Sequence, residues 1–564
     1  MFSGLRLSSR HLHNITPPSL PLNAFTSDPL LPRLLSLIYS QHNISPANAQ
    51  ADLTSFGARY TELYNLSLEC EANPPRLERL DGWGARTDRV VTCSAWQHMH
   101  HIAATQGILA TGHEGSPLAH IHQAFKLHLF SAVSGMVGCP LAMTDGAVTT
   151  LNKLLATTPL ATHGIGCYAW RDTLQDTVTH LTSRDPQQFW TSGQWMTERR
   201  GGSDVTGATE TYAVETEEGH VLCGNKFYTS AIDCTVALAL AKCNDNLSLF
   251  LVHLPSAPQG AILIDKLKDK LGTRQLPTAE LTLNCVPALL LAEKGVANII
   301  PMLQVTRLYN AITASSYLRH VTSLARSYAA TRTAFGKPLN QLPLHRQSLA
   351  RLETLSPGVM CQSIDLAIVL HNELSVGRVL SAVVKLYTAL RAVEGVREGL
   401  ECFGGAGYME DTGLPLIFRD ACVLPVWEGT TDVLAIETMR ALQKPGTLAD
   451  ILKYLRDLNY GVCGETQCPV QLVTTVSLLE EFIAHIEAVC DPVYGGQGVC
   501  DAYVTGGRGV AIALGAAHAG AVLVSIARNT QDISDIAAAA LWCRSELVKV
   551  VLSEAGHVND VLDD

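Results

Sequence analysis

The sequence predicts an α+β fold, mainly α, in which a block of strands separates two helical blocks and a further helical extension follows. Three observations carry that expectation. Hydrophobic spacing changes from helical to alternating near residue 190 and returns to helical near residue 293. Strands and helices keep to separate runs, which points to separate domains and not to repeated β/α units. The chain has 564 residues, more than one hydrophobic core ordinarily holds. Its composition is core-rich, 47% hydrophobic and 16% charged, which also suits large subunit interfaces. No GxGxxG lies between a strand and a helix, so a dinucleotide-binding fold is not expected.

Residues 1–29 form an N-terminal arm or targeting segment. "MFSGLRLSSRHLHNITPPSLPLNAFTSDP" carries Arg6 and Arg10 and no acid before Asp28, which suits a mitochondrial transit peptide. "RLSSRHLHN" also approaches a bipartite peroxisomal import signal, ending in Asn14 where that signal has Leu, and a disordered arm fits the same residues. An intracellular location is expected, mitochondrial or peroxisomal, with the cytoplasm also open. Residues 30–190 form a helical domain, in which "LLPRLLSLIYS" and "AHIHQAFKLHLFSAVSGMV" place apolar residues at helical spacing.

Residues 191–292 form a β domain, rich in Thr, Val and Tyr, alternating, and punctuated by Glu-Glu-Gly-His and Asn-Asp-Asn. Residues 293–445 return to helices: one from Thr306 ending at Gly336-Lys337-Pro338, two near 341–373 and 376–403, and one from Asp432. Residues 446–564 form a helical extension broken by a Gly-rich stretch.

Net charge is -11, which argues against a nucleic-acid groove. The extension deepens this, with six basic residues against fifteen acids, a balance that repels phosphates. The 16 cysteines are scattered, without a CxxC pair or zinc spacing; the nearest two are Cys463 and Cys468. They read as reduced, mostly buried thiols, and no metal site is expected. No apolar run reads as reaching the roughly 18 residues of a bilayer span, so no integral membrane contact is expected.

Four segments carry chemistry. "WMTERRGGSDVTG" (Trp195 to Gly207) lies where helix gives way to sheet. Gly201 and Gly202 let the backbone approach a ligand, and Thr197 and Ser203 offer hydroxyls; an ordinary Gly-rich turn has the same composition. "GNKFYTS" (Gly224 to Ser230) reads as a turn and a strand with Tyr228 and Ser230 on one face. That face can pack against a planar ring and bond its edge, and a half-buried strand reads alike. In "ATRTAFGKPL" (Ala330 to Leu339), Arg332 and Phe335 are three apart, which places them on one helix face. The pair suits a phosphate and an adenine, or a basic amphipathic helix end. In "ECFGGAGYMEDTGLPLIFRDACVLPVWEGTTDVL" (Glu401 to Leu434), Gly404 and Gly405 end one helix and Glu428 opens the next beside Trp427. A carboxylate there complements the helix dipole or serves as a base in a dry setting. Thr430, Thr431 or Asp432 is the candidate helix cap.

In their joint order and spacing the four segments resemble the acyl-CoA dehydrogenase superfamily of flavoproteins. "MTERRGGSD" resembles its Thr-Glu-Pro-x-x-Gly-Ser-Asp segment and "GNKFYTS" its Gly-x-Lys-x-Trp-Ile-Thr segment. "RTAFGKPL" is similar to its Arg-x-x-Phe-Gly-x-x-Leu segment, and "CFGGAGY" and "VWEGTTDV" to its Phe-Gly-Gly-x-Gly and Tyr-Glu-Gly-Thr segments. "NPPRLERLDGWGARTDRVVTCSAWQHM", "DKLGTRQLPTAEL" and the extension resemble the AidB-like branch.

The resemblance implies an N-terminal helical domain, a central β domain and a C-terminal four-helix domain, in a homotetramer engaged in fatty acid metabolism. It implies FAD, with Met196 and Thr197 at the flavin ring edge beside Gly202 and Ser203. Tyr228 stands for the family's Trp against the ring, and Ser230 for its Thr near N5. Arg332, Phe335, Glu401, Gly404 and Gly405 would meet the FAD of a neighbouring subunit, and Thr430 and Asp432 the adenosine portion. Glu401 stands where the family often has Gln.

Glu428 matches the family's catalytic glutamate, which takes the α-proton of an acyl-CoA while flavin N5 takes the β-hydride. Ser203 and Arg307 would face the substrate. An electron-transfer flavoprotein or oxygen would then take the electrons. Two other readings fit the branch: a protective, nucleic-acid-binding flavoprotein, and a binder of fatty acyl chains without catalysis. The nitroalkane oxidases of this fold use Asp as base, and Glu428 speaks against them.

Overall fold

The computed structural model describes residues 16–157, 166–244, 246–461, 468–494 and 501–550. Arg6, Arg10 and Asn14 of the targeting reading, and Cys463, lie outside the described residues. The N-terminal block begins with α1 (Leu31–Gln41), α2 (Ala47–Gly57) and α3 (Tyr60–Ala72). Leu31, Leu34, Leu35 and Ile38 make the buried stripe of α1, as the spacing of its leucines requires. Asp28 starts that helix by accepting hydrogen bonds from the Leu30 and Leu31 amides.

A two-stranded hairpin then interrupts a segment expected to be helical. β1 (Arg76–Leu80) and β2 (Arg86–Val91) pair with Leu77 opposite Val90. Both pack on the core of the β domain, while Glu78 and Arg89 pair on the other face. Asp81 closes the turn by accepting from the amides of Trp83 and Ala85 at 2.8 Å each. So few apolar residues among so many charges leave a weak period-two signal. Helices α4 (Ser94–Thr105), α5 (Ala119–Ser131), α6 (Gly138–Thr157) and α7 (Gly166–Leu181) complete the block.

The β domain comprises β3 (Ser192–Trp195), a single turn α8 (Val205–Ala208), β4 (Tyr212–Thr216), β5 (Gly219–Ser230), β6 (Val236–Cys243), β7 (Asn246–His253), β8 (Ile262–Leu267) and β9 (Thr278–Ala292). β6 pairs with β7, β7 with β9, β9 with β5, β5 with β4, and β4 with β6. The sheet therefore closes on itself, with β3 added on β6 and β8 on β9. In β6, Ala237, Ala239 and Ala241 fill the barrel interior, where small side chains permit tight curvature. Val236, Leu238 and Leu240 on the opposite face join the helical core. "GNKFYTS" is strand throughout, within β5, and not a turn followed by a strand. A register shift between Lys226 and Thr229 gives the local kink.

The C-terminal helical block is α9 (Gly295–Thr331), a short hairpin of β10 (Thr333–Ala334) and β11 (Lys337–Pro338), then α10 (Pro343–His371), α11 (Gly377–Glu401), α12 (Leu414–Ala421) and α13 (Thr431–Leu442). α9 starts at Gly295, earlier than Thr306, and runs through Pro301. It also stops sooner than expected. Arg332 is extended (φ -74°, ψ 128°), and Phe335 sits at the hairpin tip with φ 51°. These two residues therefore do not share a helix face, because the chain has left the helix before either.

The extension is α14 (Thr447–Tyr460), α15 (Val473–Tyr494), α16 (Asp501–Thr530) and α17 (Ile533–Trp542). Within α16, Gly506–Thr530 is long and apolar enough to cross a membrane, which corrects the expectation that no run reaches that length. In the fold, 78% of its most apolar window is buried, packed on α10, α11, α13 and α14, the behaviour of a core helix. Thirteen of the described cysteines are free; six of these are buried, six half-buried and Cys285 exposed, fewer buried than expected. Among the described residues no cluster of three His, Cys, Asp or Glu side chains could hold a metal ion.

Trp542 locks the extension to α10. It is fully buried, and a Cβ on Gly358 would lie 2.1 Å from its ring. Gly358→Val should therefore cost about 1–3 kcal/mol through overpacking, read as a lowered thermal midpoint.

Candidate active site

A cavity of about 1070 Å³ opens between the β domain and the helices. One wall is the loop after β3, with Met196, Thr197, Gly202 and Ser203, together with Tyr228 and Ser230 of β5. The facing wall is α9, with Thr306, Arg307 and Asn310, and the turn that carries Trp427, Glu428, Gly429 and Thr430. Residues far apart in sequence thus converge on one volume.

Glu428 stands at the end of the turns after α12. The Trp427 amide donates to the Val423 carbonyl at 3.1 Å, which tightens the chain ahead of it. Glu428 then takes φ 57° and Gly429 φ 103°. Two successive left-handed residues reverse the chain; the second suits only glycine, and the first is strained for glutamate. α13 follows, with Thr430 as its cap, accepting from the Val433 amide. Glu428 therefore does not cap the helix. Its carboxylate turns to α9, where the Thr306 hydroxyl donates to Oε2 at 2.7 Å. Asn310 of α9 holds the same turn by donating to the Leu424 carbonyl at 3.0 Å.

Arg307 lines the cavity but spends its guanidinium on Glu437 of α13, with bonds of 2.9 and 2.7 Å. Burial opposes the Glu437 charge, yet the Arg307 hydrogen bonds and charge, with Arg378 further off, hold its carboxyl below the usual range. This pair ties α9 to α13 beside the base.

The opposite wall is fixed by an ion pair that the sequence reading passed over. Lys226 Nζ meets Glu198 Oε1 at 2.7 Å, with both side chains essentially buried. Glu198 also accepts from the amides of Glu210 and Thr211, and Lys226 donates to the Leu240 carbonyl at 2.8 Å. Burial disfavours the Glu198 charge, but Lys226 and those amides keep its carboxyl below the usual range. The pair joins the Met196–Ser203 loop to β5, and the Phe227 amide adds a bond to the Thr197 carbonyl at 3.0 Å.

Tyr228, 57% exposed, presents its ring to the cavity with Lys268 4.7 Å from its centroid. Ser230 is 3.1 Å from the Thr278 hydroxyl. Gly202 has only the Thr197 methyl, at 3.7 Å, near a Cβ position.

Six expected site residues lie elsewhere. Arg332, Phe335, Glu401, Gly404 and Gly405 do not line the cavity. They gather where the ends of α9 and α11 lie side by side, marked by the Tyr328 and Phe403 rings at 5.1 Å. Phe335 is 94% exposed there, Glu401 pairs with Arg397, and nothing crowds Gly404 or Gly405. Asp432, on the first turn of α13, pairs at 2.7 Å with Arg508 of the extension.

Comparison with known proteins matches three family models: "Adaptive response protein AidB N-terminal domain" over residues 14–171, "Acyl-CoA dehydrogenase, middle domain" over 193–286, and "Acyl-CoA dehydrogenase, C-terminal domain" over 293–443. The chain is 41% identical over 446 residues to acyl-CoA dehydrogenase family member 11 of Caenorhabditis elegans, covering 74% of this chain and 70% of that one. It is 30% identical over 421 residues to the putative acyl-CoA dehydrogenase AidB of Escherichia coli, covering 71% and 75%. The crystal structure of C. elegans ACDH-11 in complex with C11-CoA superposes with a TM-score of 0.87 at 36% identity, covering 96% of this chain and 93% of that one. With its three-domain fold and its cavity between strands and helices, the chain belongs to the acyl-CoA dehydrogenase family, in the AidB-like branch.

Proposed function

We propose that the protein is an FAD-dependent dehydrogenase of acyl-CoA thioesters, with Glu428 as the base that removes the α-proton. One observation carries this reading: the Glu428 carboxylate lines the cavity, anchored by Thr306 and walled by Trp427. The related ACDH-11, crystallised with C11-CoA, supports an acyl-CoA of medium or longer chain as substrate.

The residues present suit FAD. Gln194 Oε1 is buried on the cavity wall without a hydrogen-bond partner among the described residues, as is Trp427 Nε1. Open space lies beside Gly202, and the Thr197 and Ser230 hydroxyls and the Tyr228 ring line the same wall. Met196, Thr197, Gly202, Ser203, Tyr228 and Ser230 would hold the flavin. Arg332, Phe335, Glu401, Gly404 and Gly405 form an open patch that would serve a neighbouring subunit's cofactor in a homotetramer. FAD, when bound, supplies the acceptor for the β-hydride.

The rest is the work of this chain. A thioester α-proton is weakly acidic, so the site must stabilise the developing enolate. Among the described residues the Glu428 backbone N–H makes no hydrogen bond within the protein, and it is free to donate to the thioester carbonyl. Trp427 and Glu428 line the cavity side by side. Thr306 fixes the carboxylate's rotamer. Losing that hydrogen bond to a charged group removes roughly 1.5–3 kcal/mol. Thr306→Val should therefore slow proton removal about tenfold or more, measured as the rate of anaerobic flavin reduction at saturating substrate.

The protective nucleic-acid reading of the AidB-like branch finds little charge to use. In the extension, Lys453, Arg456, Arg508 and Lys549 are engaged with carboxylates, and Arg528 with backbone carbonyls. An anaerobic titration with saturated acyl-CoAs of graded length tests the dehydrogenase. Loss of the oxidised-flavin absorbance is expected with one length class, and no loss with any of them would contradict it.

A further inference from the structure

Lys385 lies in the middle of α11, inside the apolar run "SAVVKLYTAL". Its side chain is fully buried. Among the described residues its ammonium has one hydrogen-bond partner, the Gly429 carbonyl at 2.6 Å, and it forms no ion pair. Burying a charge on one carbonyl is costly, and a Met or Leu would fill such a position without that cost. Something must offset it.

What lies around the ammonium supplies that offset. Gly429 follows Glu428 directly, and the two carry the consecutive left-handed angles of 57° and 103°. Side chains from two helices stitch this turn. From α9, Asn310 holds the Leu424 carbonyl and Thr306 holds the carboxylate. From α11, Lys385 holds the carbonyl just past the base. Of the three, only Lys385 is a cation. Burial lowers its pKa, the Glu428 charge raises it and Arg307 lowers it, which together leave it at about 7. Ammonium and base therefore feel one another behind the turn.

We infer that Lys385 is a positioning residue for the proton-removal step: its ammonium pins the Gly429 carbonyl, holds the strained Glu428–Gly429 turn, and so aims the Glu428 carboxylate into the cavity. It touches neither substrate nor cofactor. The strain in the turn is the structural mark of that duty, since a left-handed glutamate persists only where its surroundings fix it. Without the pin, the turn relaxes toward ordinary backbone angles and the carboxylate loses its aim. Substrate contacts elsewhere in the cavity remain.

The inference rests on Glu428 acting as base. Its test uses the full-length, FAD-loaded protein as parent, Lys385→Met and Lys385→Gln, with the acyl-CoA of the length that bleaches the parent fastest. Anaerobic flavin reduction at saturating substrate should be on the order of 10- to 100-fold slower in Lys385→Met, the effect of a small misplacement of a reacting group. The apparent substrate affinity should stay within about threefold of the parent, because the binding surface is intact. Lys385→Gln, which keeps a donor but no charge, should fall between them.

A second readout needs no turnover: amide hydrogen exchange across residues 424–431 without substrate should be faster in Lys385→Met than in the parent. Should Lys385→Met not fold, Lys385→Gln carries the same two comparisons. Parent-like reduction together with parent-like exchange in a folded, FAD-loaded variant would overturn the inference and leave the dehydrogenase reading intact. A parent that no acyl-CoA reduces would overturn both.

Discussion

Glu428→Gln will bind acyl-CoA and leave the flavin oxidised. The substitution keeps the size of the side chain and its hydrogen bond from Thr306, 2.7 Å long in the parent, while removing the basic electron pair. A positioned general base contributes about 10²- to 10⁴-fold, and none of the other carboxylates on the cavity wall, Asp204, Asp269 and Glu437, stands on the Glu428 turn. Lys270 and Tyr309 line the same cavity, but each is already engaged. Lys270 donates to the Leu276 carbonyl at 2.7 Å, and Tyr309 to Asp145 at 2.7 Å. Flavin reduction by saturating acyl-CoA should therefore drop by at least about a hundredfold while the dissociation constant changes little, the pattern of a lost transition-state interaction. Reduction at the parent rate would remove Glu428 from the chemistry.

Lys226→Ala should be the most damaging single change to the β-domain wall. It strands Glu198, 4% exposed at its side chain, as an unpaired buried carboxylate. Breaking a buried pair from one side costs about 3–5 kcal/mol, so the thermal midpoint should fall sharply. Because the pair joins the Met196–Ser203 loop to β5, the purified variant should also carry less FAD.

The double variant Glu198→Leu/Lys226→Met separates two causes. With no charge left to strand, it should recover part of the stability lost by Lys226→Ala. It should not recover all of it, because the Glu210 and Thr211 amides lose the carboxylate they now bond. A double variant no more stable than Lys226→Ala would show that the stranded charge is not the main cost.

These two sites also mark what the sequence could and could not convey. The order of helical, β and helical blocks was legible because period 3.6 and period 2 persist over tens of residues. The Glu428 turn was legible because "VWEGTTDV" keeps its elements contiguous. The β1–β2 hairpin was not, since Leu77 and Val90 are nearly alone among charged neighbours. Phe335 was misplaced because a helical pattern continued past the point where hydrogen bonding stops, at Thr331.

Glu198 and Lys226 sit inside quoted motifs, yet a charge in a turn or strand reads as solvated until its partner is seen. Here the partners are 28 residues apart. Arg307 and Glu437 are 130 residues apart, and no local pattern links them. Lys385 did carry a signal, a single lysine within ten otherwise uncharged residues of "SAVVKLYTAL", but its partner Gly429 lies 44 residues on.

The measurement that bears most directly on Glu428 is the structure of the FAD-loaded protein with a non-reducing acyl-CoA analogue bound. A carboxylate oxygen of Glu428 is expected about 3–3.5 Å from the α-carbon, with Thr306 still donating to the other side of the carboxylate and the thioester carbonyl on the Glu428 N–H. A carboxylate turned out to solvent, or an acyl chain lodged away from this cavity, would contradict it.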